Sequence, residues 1–146
     1  KRQKWLAWCI QNSAEPTPDA YNWAITLKST GRLIGWLGIG TASHPTVVGE
    51  RDFGYALNRD FWGNGYMPEA LGAVLRFEFE TLKTTRIYGE CELENPASAR
   101  VMEKVGMQYE GLFLDDDFDE CHRYAIYPHK LDNNSVYSSF NSAPNK

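Results

Sequence analysis

The chain has too little positive charge for a nucleic-acid binder. Among its 146 residues, 15 Lys or Arg stand against 19 Asp or Glu, a formal net charge of −4, and the isoelectric point lies near 5.4. A phosphate backbone needs clustered cations, so a basic partner is the better match. No apolar run reaches membrane-spanning length and the first residues carry no signal-peptide pattern, so no membrane partner and a soluble, cytoplasmic protein are expected. The only cysteines, Cys9, Cys91 and Cys121, are scattered and form neither a disulfide framework nor a zinc spacing. His44, His122 and His129 lie too far apart in sequence to pair as ligands at helical spacing, and no metal is expected. The length suits one domain with one sizeable core. Residues 1–131 are expected to form it, and residues 132–146 read as a polar, low-complexity, disordered tail.

What the chain does have is the stretch LNRDFWGNGYMPE over residues 57–69. Phe53, Tyr55 and Leu57 alternate with Gly54, Ala56 and Asn58, the period of a strand. Gly63 and Gly65 then free the backbone for positive φ, and from Tyr66 onward the apolar spacing becomes helical. Pro68 fits a first helical turn. A strand, a glycine loop and a helix start in this order direct several N–H groups at one spot beside a helix N-terminus, where a phosphate or pyrophosphate binds. The loop is not a P-loop, because Gly65 is followed by Tyr66 and Met67 rather than Lys and Ser or Thr. Nor is it a dinucleotide fingerprint, which needs a third glycine.

Residues 1–12 have helical spacing, with Trp5, Trp8 and Cys9 in one row. Residues 21–27 and 32–39 read as an antiparallel hairpin around the turn at 28–31, and residues 51–58 as the strand entering the cradle. A helix is predicted over 66–83 with Met67, Leu71, Val74 and Leu82 facing the sheet. Glu78 falls in the middle of that apolar face, so either its side chain reaches out to solvent or it is a buried carboxylate with a partner. Residues 86–93 follow as a strand, with Ile87, Cys91 and Leu93 on one face and Tyr88, Glu90 and Glu92 on the other. Asn95 caps the next helix, Pro96 takes its first position and Gly106 ends it. Residues 109–114 and 121–127 form a final strand pair around the acidic loop DDDFDE. The element order implies an α/β (α+β) fold, a mixed sheet with helices on both faces.

ERDFGYALNRDFWGNGYMPEAL, and after the helix RIYGECELENPASARVMEKVGMQYEG, closely resemble the GNAT acetyltransferases, in particular the branch related to the ribosomal-protein N-terminal acetyltransferases. The resemblance covers residues 21–131. It implies a mostly antiparallel twisted sheet in which the strand before the glycine loop and the strand after its helix splay apart to admit the pantetheine of acetyl-CoA. On that resemblance Ala56, Leu57 and Asn58 offer backbone hydrogen bonds to the pantetheine. The N–H groups of Phe61, Trp62, Gly63, Asn64, Gly65, Tyr66 and Met67 hold the pyrophosphate, and Asn95 and Ser98 border the thioester. Asp60 stands where the family often carries Gln or Arg. GNAT domains usually open with a strand and a helix before the point at which this chain starts. Either an upstream segment is missing, or the acceptor side is built differently and one sheet edge is left for a partner, such as a second copy, to cover.

The activity implied is acetyl transfer from acetyl-CoA to a primary amine, on a protein N-terminus or a small cationic amine, by direct attack on the thioester. That chemistry needs a route for the amine's proton and a donor for the departing thiolate. Glu90 stands five residues before Asn95, where some relatives carry the base, with Asp52 and Glu50 as rivals acting through water. Glu90 also reads as a solvent-facing strand glutamate. Seven residues after Asn95 many relatives have a tyrosine acid, but here stands Met102, which has no proton to give. Ser98 is the nearest hydroxyl, and it also reads as a first-turn serine bonding backbone. Two other classes stay open: a catalytically inactive acyl-CoA-binding module, and a nucleotide-binding domain using the same loop.

Overall fold

The computed structural model describes residues 7, 11, 14, 15, 18–115, 117 and 119–131. Of the helix expected over 1–12, Ala7 and Gln11 are described and helical. The rest of it, with Cys9, lies outside the described residues, as does the tail.

Period-two alternation becomes one six-stranded sheet. β1 (Ala20–Thr26), β2 (Leu33–Thr41) and β3 (Glu50–Leu57) form a meander, followed by α1 (Tyr66–Phe77) and β4 (Arg86–Glu92). Then come α2 (Pro96–Lys104), β5 (Gln108–Leu114), β6 (Glu120–Ile126) and the single turn α3 (Pro128–Leu131). The strand order is β1-β2-β3-β4-β6-β5, and only β3 and β4 run parallel. This is the mixed, mostly antiparallel sheet that the sequence predicts, and the edge strands are β1 and β5.

Leu37 and Ile39 of β2, Ile87 and Cys91 of β4, and Tyr124 and Ile126 of β6 point to one face, where α1 and α2 cover them with Leu71, Leu75, Met102 and Val105. Burying each such side chain contributes about 1.5–3 kcal/mol. On the other face Tyr88 packs with Ala42 and Ala125. Among the described residues no helix is long and apolar enough to cross a membrane.

The predicted helix over 66–83 is not regular throughout. Its α-helical part ends at Phe77, Glu78–Leu82 make a π-helical turn, and Lys83 closes it in the left-handed region at φ 59. The Glu78 side chain is fully buried. The Thr84 hydroxyl donates to its Oε2 at 2.6 Å, Arg51 Nε lies 3.6 Å away, and Oε1 has no hydrogen-bond partner among the described residues. Of the two readings of Glu78, the structure has the buried carboxylate.

Burial raises the Glu78 carboxyl above its ordinary value, while Thr84 and Arg51 pull it part of the way back. An acid raised on folding holds its proton more tightly in the folded chain. Its stabilising contribution is therefore complete below the unfolded value and is lost as pH rises through the folded one. Glu78→Gln is expected to melt above the wild type at about pH 8 and level with it at about pH 4. Thermal melts at both values check this, and a variant that melts lower at about pH 8 contradicts it.

β3 and β4 share three rungs, Glu50↔Arg86, Arg51↔Ile87 and Asp52↔Tyr88, and do not pair beyond them. At this closed end the buried Arg86 guanidinium pairs with the buried Glu50 and with Glu110, and its Nε–H donates to Tyr127 at 3.0 Å. Thr46 donates its backbone N–H to Glu50. Past the rungs the strands splay, as the resemblance implied. Gly89 lets Phe53 come close there: a Cβ would run into the tip of the Phe53 ring and meet Met102 Sδ at 3.0 Å, so the ring would have to shift. The Phe53 ring thus lies directly against the β4 backbone.

Candidate active site

The loop between β3 and α1 is shaped by its own side chains. Asn58 accepts the Asp60 N–H at 3.1 Å, and the amides of Phe61 and Trp62 bond the carbonyls of Asn58 and Arg59. The Trp62 indole donates to the Leu57 carbonyl at 2.8 Å, and the Asn64 amide donates to the carbonyls of Phe61 and Trp62. Gly63 and Gly65 stand at φ 76 and 80, a region that L side chains rarely enter. No side chain caps α1. The N–H groups of Gly63, Asn64, Gly65, Tyr66 and Met67 have no partner among the described residues. Orphan donors at a helix N-terminus suit a pyrophosphate. The donors of Phe61 and Trp62 are already engaged within the loop, so the unpartnered donors begin at Gly63.

This loop walls a cleft of about 460 Å³, whose far side is α2. Asn95 Oδ1 accepts the Ser98 N–H at 3.1 Å and fixes the start of that helix. Arg100 and Lys104, four apart and hence on one helix face, bring positive charge to the same cleft. The donor set therefore fits a long phosphorylated ligand. Met102 is fully buried in the core and takes no part.

The hydroxyl of Ser98 does not bond backbone. It lies 2.6 Å from the hydroxyl of Tyr55, which reaches across from β3. Burial pushes the Tyr55 phenol above its ordinary value, with the Ser98 bond pulling the other way. Tyr55 escaped sequence reasoning. Its inward place in the strand alternation was visible, but its partner on α2 lies 43 residues away.

A second, wider cleft of about 840 Å³ meets the first at Tyr55, Asn95 and Ser98. Its walls carry Glu90, Glu92, Glu94, Asp115, Asp119 and Glu120. Glu90 is held by Arg123, whose Nε–H and Nη2–H both donate to Oε1, at 2.8 and 2.5 Å. Arg123 is buried between the rings of Tyr88 and Phe113, 4.2 and 3.9 Å from their centres. Burial, then the nearby Glu90 charge, raises the Cys121 thiol in this cleft to about 11, keeping it protonated and unreactive. The structure thus brings Glu90, Asn95 and Ser98 to one cleft. Asp52 lies elsewhere: its Oδ2 accepts the Ser43 N–H at 2.9 Å and the Tyr88 hydroxyl at 3.3 Å, and it lines a neighbouring groove beside Trp36. Glu50 is enclosed in the Arg86 cluster.

Residues 1–108 match the acetyltransferase (GNAT) domain family. An uncharacterised N-acetyltransferase of Bacillus licheniformis, p20, is 31% identical over 97 residues, 66% of this chain and 53% of its own, so the chain spans about half the length of that relative. The crystal structure of a GNAT-family acetyltransferase from Bacillus anthracis superposes with a TM-score of 0.64 at 30% identity, covering 74% of this chain and 66% of that one. RimJ of Mycobacterium smegmatis, solved in complex with CoA-disulfide, superposes with a TM-score of 0.76 at 24% identity, covering 96% of this chain and 68% of its own.

Proposed function

Because the chain belongs to the GNAT acetyltransferase domain family, we propose that it moves an acetyl group from acetyl-CoA to a primary amine, the amine attacking the thioester directly. The observation that supports this best is the meeting of two unlike clefts at Tyr55, Asn95 and Ser98. One offers unpartnered N–H groups and two cations, as an anionic donor needs. The other offers six carboxylates, as a cationic acceptor needs. A polyamine, an amino sugar or a protein N-terminus has the required charge, and the acceptor class is accordingly a cationic amine.

In this reading Gly63 to Met67 hold the pyrophosphate, and Ala56 to Asn58 lie along the pantetheine. Glu90 takes the proton the amine must lose, and Ser98 supplies one to the departing thiolate. A homodimer, if formed, would use a sheet edge, β1 or β5.

Two measurements test the proposal. Acetyl-CoA at about a hundred times its Kd is expected to stabilise the fold by roughly 2.7 kcal/mol, seen as a higher Tm, whereas ATP and NAD leave Tm unchanged. A panel of cationic and neutral amines, followed by free-thiol release, is expected to show turnover with the cationic ones. A shift with NAD alone defeats the proposal. A shift with acetyl-CoA but no turnover on any amine leaves an acyl-CoA-binding module.

A further inference from the structure

Tyr55 is the side chain that the chemistry above leaves without a task, although it stands where the clefts join. It comes from β3, one arm of the splay, and its hydroxyl meets Ser98 Oγ on α2, on the other side of the cleft, at 2.6 Å. It lines both clefts and is only partly exposed, its ring stacks on Phe53, and among the described residues its hydroxyl makes one further, longer contact at 3.4 Å to the Ser98 carbonyl. A hydroxyl needed only for packing would not require this geometry, since Phe fills the same volume.

Resting on the proposed acetyl transfer, we infer that Tyr55 and Ser98 form a two-hydroxyl proton relay, in which Tyr55 recharges Ser98 as Ser98 protonates the leaving thiolate. As the new N–C bond forms and the C–S bond breaks, the bonding pair goes to sulfur. The Ser98 hydroxyl proton goes to that sulfur, and Ser98 Oγ takes the Tyr55 hydroxyl proton along the existing hydrogen bond. The phenolate is reprotonated, through water in the acidic cleft, by the proton that Glu90 took from the amine. A serine alkoxide would otherwise have to persist in a half-buried site, which is costly. The relay spreads that charge onto a far better anion. The raised phenol keeps Tyr55 in its protonated, donating form at neutral pH. Tyr55 acts through Ser98 and is a positioning residue for it. It also supplies from β3 the phenol that Met102 does not.

Tyr55→Phe, Ser98→Ala and the double variant test the relay. Tyr55→Phe is expected to lower kcat by about 10²-fold with KM for acetyl-CoA and Tm unchanged. The double variant should be no slower than Ser98→Ala, because groups acting as a unit lose activity once. Losses that multiply in the double variant, or a Tyr55→Phe that keeps wild-type kcat, overturn the relay. An independent readout is ultraviolet titration of phenol ionisation in the ligand-free protein, with the Tyr55 signal isolated by subtracting Tyr55→Phe. Ser98→Ala should move that ionisation to higher pH, since the Ser98 bond pulls it down. An unmoved signal shows that the two hydroxyls are not coupled. Should the wild type transfer acetyl to no amine, the proposed function fails, and the titration alone decides the coupling.

Discussion

Glu90→Gln should lower kcat/KM by about 10²–10⁴ near neutral pH and by less at high pH, with acetyl-CoA affinity almost unchanged. The pH dependence follows from the acceptor: a protonated amine must lose its proton before it can attack, whereas at high pH it arrives neutral. The carboxylate is suited to the task by how it is held. Both Arg123 bonds fall on Oε1, so Oε2 takes neither and can accept a proton without breaking them. Arg123 cannot swing away, because it is stacked between Tyr88 and Phe113. Gln keeps the shape and cannot take up the proton. The check is a pH profile of kcat/KM with a single cationic amine. If the variant keeps full activity at every pH, the base is elsewhere. Asp52→Asn is then the next substitution, and proximity alone remains if that too is silent.

Arg86→Met should destabilise the fold by about 3–5 kcal/mol, because it leaves the Glu50 carboxylate buried without its cation. Glu50 is 2% exposed and Arg86 5%, so water cannot replace the lost partner. The Thr46 N–H and hydroxyl remain as donors to Glu50, but two neutral donors do not offset a buried charge. Urea unfolding followed by tryptophan fluorescence measures the loss. Removing both charges, in Glu50→Met with Arg86→Met, should recover most of it, since an apolar pair of similar volume often matches a buried ion pair. A double variant as unstable as the single one would show that the cost lies in packing around Tyr127 rather than in the uncompensated carboxylate.

The parts of the fold written in local spacing were legible in the sequence. The alternation of Phe53, Tyr55 and Leu57 gave the strand, Gly63 and Gly65 the turn, and Asn95, Pro96 and Gly106 both ends of α2. Each depends on neighbours within a few residues. The helix over 66–83 was half legible. Met67, Leu71 and Val74 of its predicted apolar face are buried, but Leu82 is only partly so and the buried Leu75 and Phe79 were missed, because a periodic pattern does not register the wide turn at 78–82 that ends with Lys83 at φ 59. The site's pairings were not legible at all. Arg123 and Glu90 are 33 residues apart, and Tyr55 and Ser98 are 43 apart. They meet because β4 pairs with β6 and because α2 crosses the splay. For the same reason Ser98 read equally well as a capping-turn serine until its neighbour across the cleft was in place.

The brevity of the seam between β3 and β4 has one more consequence. Three strands lie on each side of it, β1-β2-β3 and β4-β6-β5, and within each trio the ladders run six or seven pairs. The sheet is therefore two stiff pages bound along a spine three rungs long, with the Arg86 cluster as its stitching and the Phe53 ring set between the pages against Gly89. In the proposed reading the pantetheine enters the gap beyond the last rung. How well it is gripped then depends on the angle at the spine, so Arg86, which lines neither cleft, shapes the binding surface as much as the residues that do.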